Sequence, residues 1–168
     1  VTLAHVRVAN GAGYLQDSLA FFNGRMMVEG GLRYDVFRYD IRDRIDPQSS
    51  ALQNAGRWQP KFGWSLTPVR RLPVTLHVNY GRGIASLDAR SITQAPERAR
   101  LATTDFYQTG ISARAGRAAF SVSSFLIDRS NEMVYVADDG SFELLGPSRS
   151  YGGEAKVAVD IAGPLSFS

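Results

Sequence analysis

The chain has 168 residues, 44% of them hydrophobic and 21% charged, with no cysteine and a net charge of +3. The missing thiols exclude a disulfide framework, a cysteine-ligated zinc site and a cysteine nucleophile. The cations are seventeen arginines against only Lys61 and Lys156, with no basic block to make a nucleic-acid tail, and no run of about 18 apolar residues marks a membrane-crossing helix. Strands of a membrane barrel alternate apolar with polar residues and pass beneath that last test.

In chain order, Val1 to Ala9 and Tyr14 to Phe22 are β-rich with partial alternation. Asn23-Gly24 follows as a hairpin signal, because both turn positions favour positive φ. Arg25 to Tyr39 then sets Met26, Val28, Gly30, Leu32, Tyr34 and Val36 against Met27, Glu29, Gly31, Arg33 and Asp35. A helix would mix these two sets, so the period of two predicts a strand. Lys61 to Pro68 repeats the pattern with Phe62, Trp64 and Leu66 on one face. Val74 to Gly81 opposes Val74, Leu76, Val78 and Tyr80 to Thr75, His77 and Asn79. Asp105 to Arg114 and Ala118 to Val136 are further β-rich segments. Arg149 to Ile161 alternates Tyr151, Val157 and Val159 with Glu154, Lys156 and Asp160, and Leu165 to Ser168 begins another segment. The one helical expectation is a short turn over Pro96 to Leu101, with proline in its first turn.

Connections near Asn23-Gly24, Pro68 to Pro73, Ala115-Gly116 and Ala162 to Pro164 are short. Those over Asp40 to Ala55, Ile84 to Thr104 and Ala137 to Pro147 are long and polar. Short and long links alternate, so an up-and-down antiparallel sheet would be trimmed at one end and elaborated at the other. A soluble sandwich would bury its apolar rows, whereas a membrane barrel would turn them to lipid. The polar rows are Gly, Ser, Thr, Asn and isolated charges of both signs, which suits an aqueous lumen. Trp58, Trp64, Tyr34, Tyr80, Tyr107 and Tyr151 fall near row ends, as interfacial girdles do.

Several strings together resemble one family. Tyr14-Leu15-Gln16-Asp17 and Gly31-Leu32-Arg33-Tyr34-Asp35 resemble consecutive hairpin strands of TonB-dependent outer-membrane receptors. Tyr80-Gly81-Arg82-Gly83-Ile84 resembles the strand end that opens a large outer loop there, and Asp105-Phe106-Tyr107-Gln108 resembles its return. Asp128-Arg129-Ser130-Asn131-Glu132 and Ser148-Arg149-Ser150-Tyr151-Gly152-Gly153-Glu154 resemble a later hairpin of the same barrels. The resemblance implies a fold that is all-β: an antiparallel up-and-down transmembrane β-barrel wall, incomplete, with about eight or nine strands of a plugged barrel of roughly 22. It implies residues 1–168 as a partial barrel without the plug domain. The implied function is energy-coupled uptake of an iron chelate, cobalamin or glycan. The implied partners are outer-membrane lipid, a small nutrient ligand, and the plug and TonB through a region outside this chain. A self-contained small outer-membrane barrel and a soluble β-sandwich binding module are the competing readings.

Candidate lumen- or plug-facing residues are Glu29, Arg33, Asp35, His77, Asn79, Glu154, Lys156 and Asp160; candidate outer-loop ligand contacts are Arg42, Arg44, Arg90, Arg98 and Arg100. Catalysis, a cofactor and a metal are not expected. His5 and His77 stand alone, Gly81-Arg82-Gly83 lacks the third glycine of a dinucleotide loop, Asp138-Asp139-Gly140 lacks the remaining calcium ligands, and no G-x-S-x-G elbow occurs.

Overall fold

The computed structural model describes residues 4–43, 51–69, 71–85, 101–130, 132–136, 141–162 and 165–167. The strands are β1 (Ala4–Phe21), β2 (Met26–Asp43), β3 (Ala51–Leu66), β4 (Val74–Ala85), β5 (Ala102–Ala115), β6 (Ala118–Arg129), β7 (Glu132–Val136), β8 (Ser141–Leu145), β9 (Ser148–Ala162) and β10 (Leu165–Phe167). Eight of them form one sheet in the order β1-β2-β3-β4-β5-β6-β9-β10, while β7 and β8 pair as a separate hairpin. Each pairing is antiparallel between strands adjacent along the sheet. No helix occurs among the described residues, and residues 96–100 of the expected short helix lie outside them.

The sequence reading and the structure part company at four places. Asn10 to Gly13, left between the β-rich segments Val1 to Ala9 and Tyr14 to Phe22, is continuous strand, because β2 supplies a partner at every position from Ala4↔Asp43 to Phe21↔Met26. The same pairing carries β2 to Asp43, and β3 begins at Ala51, so the first long connection shrinks to 44–50. The segment expected over Ala118 to Val136 divides at Ser130, beyond which β7 pairs with β8, a strand inside the stretch Ala137 to Pro147 expected as a connection, instead of with β9. The β1–β2 turn is wider than a two-residue hairpin: Phe22, Asn23 and Gly24 have φ of 54°, 58° and 80°. Left-handed backbone at Phe22 costs about 1–2 kcal/mol, which the long register on either side outweighs.

Alternation assigns every strand two faces, and register carries them across the sheet. One face collects Leu19, Leu32, Trp58, Phe62, Val78, Ile111, Phe120, Val122 and Val157, all of them exposed. Among the described residues only Tyr39, Ile41, Leu101 and Asp35 are buried. The sheet is therefore a single layer whose apolar face is open, without the dry two-sheet core of a soluble sandwich. Each such side chain left in water forgoes about 1.5–3 kcal/mol of burial, which hydrocarbon recovers.

The two faces exchange character toward the long-connection end. On β2 the apolar row Met26 to Val36 continues as Arg38, Asp40 and Arg42, while the polar row Glu29 to Asp35 continues as Phe37, Tyr39 and Ile41. Tyr39 and Ile41 are 2% and 1% exposed, and Val6, Phe37 and Ala55 pack against them. On β5 and β6 the same exchange puts Asp105 and Asp128 on the formerly apolar face and Phe106, Phe125 and Ile127 on the other.

Candidate functional site

The polar face is built by register. Ser18, Glu29, Gly63, Asn79 and Gln108 form one cross-strand row over β1 to β5. Toward the short turns, His77, Gly110, Ser123 and Glu154 form another, and Thr75, Ser112, Ser121 and Lys156 a third. Asn79 Nδ2 donates to Gln108 Oε1 at 3.3 Å. Small residues keep these rows low. A Cβ on Gly110 would lie 2.6 Å from His77 Nε2, and one on Gly152 would lie 2.7 Å from Phe125 Cζ. Both glycines thus make room for a ring from the neighbouring strand, as glycine–aromatic pairs in curved sheets do.

The best-organised cluster surrounds Asp35, whose side chain is 4% exposed. Arg33 donates to it in a fork, Nε to Oδ2 at 2.6 Å and Nη2 to Oδ1 at 2.9 Å. Gln59 Nε2 donates to Oδ2 as well, and Asn10 Nδ2 reaches Oδ1 at 3.5 Å. Residues two apart on a strand share a face, which brings Arg33 and Asp35 together; β1 and β3 supply the amides. The carboxylate is thus met by three side chains, while the Arg33 side chain remains 47% exposed, its outer edge free to meet a further acceptor. Below it, two adjoining recesses of about 220 and 210 Å³ share Gln16, Gly31 and Lys61. They exist because Gly31 and Gly63 bear no side chain beside Lys61 and Glu29.

All eight polar-row candidates, Glu29, Arg33, Asp35, His77, Asn79, Glu154, Lys156 and Asp160, fall on this one face. They do not converge on one point. Arg33 with Asp35, Glu29 with Asn79, and His77 with Glu154 occupy separate levels, which suits a broad contact wall and not a compact catalytic centre. Among the described residues no group of His, Asp and Glu gathers as metal ligands. Of the loop candidates, Arg44, Arg90, Arg98 and Arg100 lie outside the described residues. Arg42 is not in a loop: it stands in β2 on the face opposite the polar rows, 3.3 Å from Asp40, because pairing with β1 prolongs the strand.

That opposite face carries paired rings where its apolar band ends. Tyr34 and Trp58 lie 4.5 Å apart between ring centroids, and Tyr80 and Tyr107 lie 5.0 Å apart. One register step beyond the second pair runs the row Arg82, Asp105, Asp128, Arg149. Arg82 grips Asp105 at 2.8 and 2.9 Å, Arg149 grips Asp128 at 2.6 and 3.0 Å, and the Tyr80 hydroxyl donates to Asp105 at 2.8 Å. Sequence reasoning noticed these strings without linking them, because partners more than 20 residues apart leave no local signal. Asn10 and Gln59 were missed for the same reason.

Residues 3–168 match the family described as TonB dependent receptor-like, beta-barrel. No curated protein matches the chain. Among solved structures, the ferric citrate transporter FecA superposes with a TM-score of 0.73 at 15% identity, over 95% of this chain and 24% of its own. BauA, the ferric preacinetobactin receptor of Acinetobacter baumannii, gives 0.70 at 15% identity, over 97% of this chain and 24% of its own. The Serratia marcescens hemophore receptor HasR gives 0.63 at 13% identity, over 90% and 32%. The chain thus spans between a quarter and a third of these proteins, and its open sheet corresponds to part of their fold. It belongs to the TonB-dependent receptor β-barrel family, whose members are transporters of the Gram-negative outer membrane and not enzymes.

Proposed function

We propose that this chain is part of the barrel wall of a receptor that takes up a scarce metal chelate, iron chelates foremost, by energy coupling through TonB. The carrying observation is the polar face, with eight candidate residues on one side of a sheet whose other side carries an open apolar band broken by Asp17 of β1. In a barrel the apolar side meets hydrocarbon and the polar side lines the lumen. The Arg33–Asp35 clamp and the Gly31–Lys61–Gly63 recesses suit a surface that holds a plug domain without covalent bonds: low, wet, and studded with charges of both signs. In this reading Glu29, Arg33, Asp35, His77, Asn79, Glu154, Lys156 and Asp160 are plug-facing, and the long connections holding Arg44, Arg90, Arg98 and Arg100 are the ligand side. The iron-chelate class is supported by the names of the neighbours, which are receptors or transporters for ferric citrate and ferric preacinetobactin. Open edges oppose a self-contained small barrel: among the described residues β1 pairs only with β2, and β10 only with β9.

The test is iron uptake by a strain carrying the full-length receptor as its sole transporter, offered ferric citrate, catecholate and hydroxamate chelates, haem, cobalamin and oligosaccharides in turn. Uptake of one iron source that collapses when TonB is deleted is the expected result. Uptake of cobalamin or an oligosaccharide alone would replace the substrate class, and TonB-independent uptake would overturn the mechanism.

A further inference from the structure

The outward face carries no charge on β2 from Met26 to Val36, and none on β3 from Gly56 to Leu66. Beyond that level β1 and β2 present Arg7, Arg38 and Arg42, all exposed, around the single carboxylate of Asp40. Arg7 is the register partner of Asp40, and Arg38 and Arg42 flank Asp40 on its own strand. Arg42 touches Asp40 only at 3.3 and 3.4 Å with its side chain 75% exposed, and among the described residues Arg7 and Arg38 have no carboxylate partner. Arg38 lies four residues past Tyr34, about 13 Å along the strand, so the group begins just above the aromatic pair Tyr34–Trp58. The other side of the wall differs. There Arg82 and Arg149 are each locked in a bidentate pair with Asp105 and Asp128, and the row is neutral.

We propose that Arg7, Arg38 and Arg42 form a docking site for the phosphate groups of the outer-leaflet glycolipid. Cations clustered on the lipid-facing side at headgroup level attract anionic headgroups, and guanidinium groups match phosphate oxygens in pairs. One carboxylate among three arginines leaves charge for a phosphate to neutralise. The Arg82–Asp105 and Asp128–Arg149 pairs leave none. The site is therefore confined to the β1–β2 side of the wall. The proposal rests on the reading that the long connections face outward. Labelling a cysteine placed in the 44–50 connection on intact cells checks that orientation separately, so an inverted barrel and an absent site give different results.

The experiment is native mass spectrometry of the full-length receptor in detergent, titrated with diphosphorylated lipid A, phosphate-free lipid A and phosphatidylglycerol. Wild type is expected to retain the diphosphorylated form preferentially. The Arg7→Gln/Arg38→Gln/Arg42→Gln variant should lose about tenfold or more in apparent affinity, while the matching lysine triple, which keeps the charge but not the paired donors, falls between it and wild type. Asp40→Asn, which releases Arg42, should tighten retention, and the neutral double change Arg82→Gln/Asp105→Asn should leave it unchanged. Heat-modifiable gel mobility verifies that each variant is folded; if the glutamine triple does not fold, Asp40→Asn decides. Equal retention of phosphate-free lipid A or of phosphatidylglycerol, wild-type retention by a folded glutamine triple, or no gain from Asp40→Asn would each overturn the assignment.

Discussion

Asp35 gathers three side-chain partners, Arg33, Gln59 and Asn10, by geometry that spans three strands. Arg33 sits two residues away on the same strand, while Gln59 and Asn10 come from flanking strands. Removing the carboxylate deprives all three donors of their shared acceptor. Asp35→Ala should therefore lower the unfolding free energy of the full-length receptor by about 1–3 kcal/mol, read from urea denaturation in reconstituted bilayers. Arg33→Ala should cost less, because half of that side chain already meets solvent and Asp35 keeps its two amide donors. Equal losses would show that the pair, and not the carboxylate's whole shell, carries the effect. The Arg33–Asp35 pairing was legible in the sequence, since alternation puts the two on one face. Its amide partners were not, because they depend on a register that only the assembled sheet fixes.

At the scale of the strand, neighbouring positions lie on faces of opposite character. Val122 is 55% exposed on the apolar face, and Ser123 follows it on the polar one. Val122→Arg should cost about 2–4 kcal/mol in bilayer refolding, whereas Ser123→Arg should be nearly neutral. Similar costs at both positions would refute the assignment of faces. A bulkier residue at Gly152 tests the packing of strand on strand: Gly152→Val drives a methyl group into the Phe125 ring, and the hairpin of β6 and β9 should refold more slowly and melt earlier in the same assay. Strand identity was read well where alternation was clean, as in Arg25 to Tyr39. It left out Asn10 to Gly13, which a fully paired partner strand makes continuous. It failed at Ser130, because local pattern cannot say which later strand the chain will join.

For the molecule as a whole, the sheet presents β1 as an 18-residue edge strand that, among the described residues, is paired on one side only, with β2. An unpaired edge of that length templates association with other chains. Expressed alone, residues 1–168 should collect as aggregates and, refolded in detergent, should show no heat-modifiable band; a discrete heat-modifiable species would instead favour a closed small barrel. In the full-length receptor, cysteines placed in the 44–50 and 86–100 connections should react with an impermeant maleimide on intact cells, while one at Gly116 should not. Reaction at Gly116 alone would turn the wall upside down. The links told the two ends of the sheet apart in the sequence by their lengths, but with β2 and β3 at full length the 44–50 link is no longer than 67–73, and the contrast rests on the later connections. The identity of the ligand was not readable, because the long connections share no common charge: Ile84 to Thr104 is slightly basic, while Ala137 to Pro147 carries Asp138, Asp139 and Glu143 with no cation.

The exchange of faces partway along β2 makes that strand self-checking. Deleting one residue between Arg33 and Val36 would leave everything beyond the deletion in its old setting only by turning the stretch before it over, sending Glu29 and Arg33 to the apolar face. Deleting two would keep every side chain on its own side and merely lower the rim by about 7 Å along the strand. Length in this wall therefore drifts most cheaply in even steps, and an odd step needs a bulge to absorb it, as the register shift between Leu165 and Ser166 against β9 does.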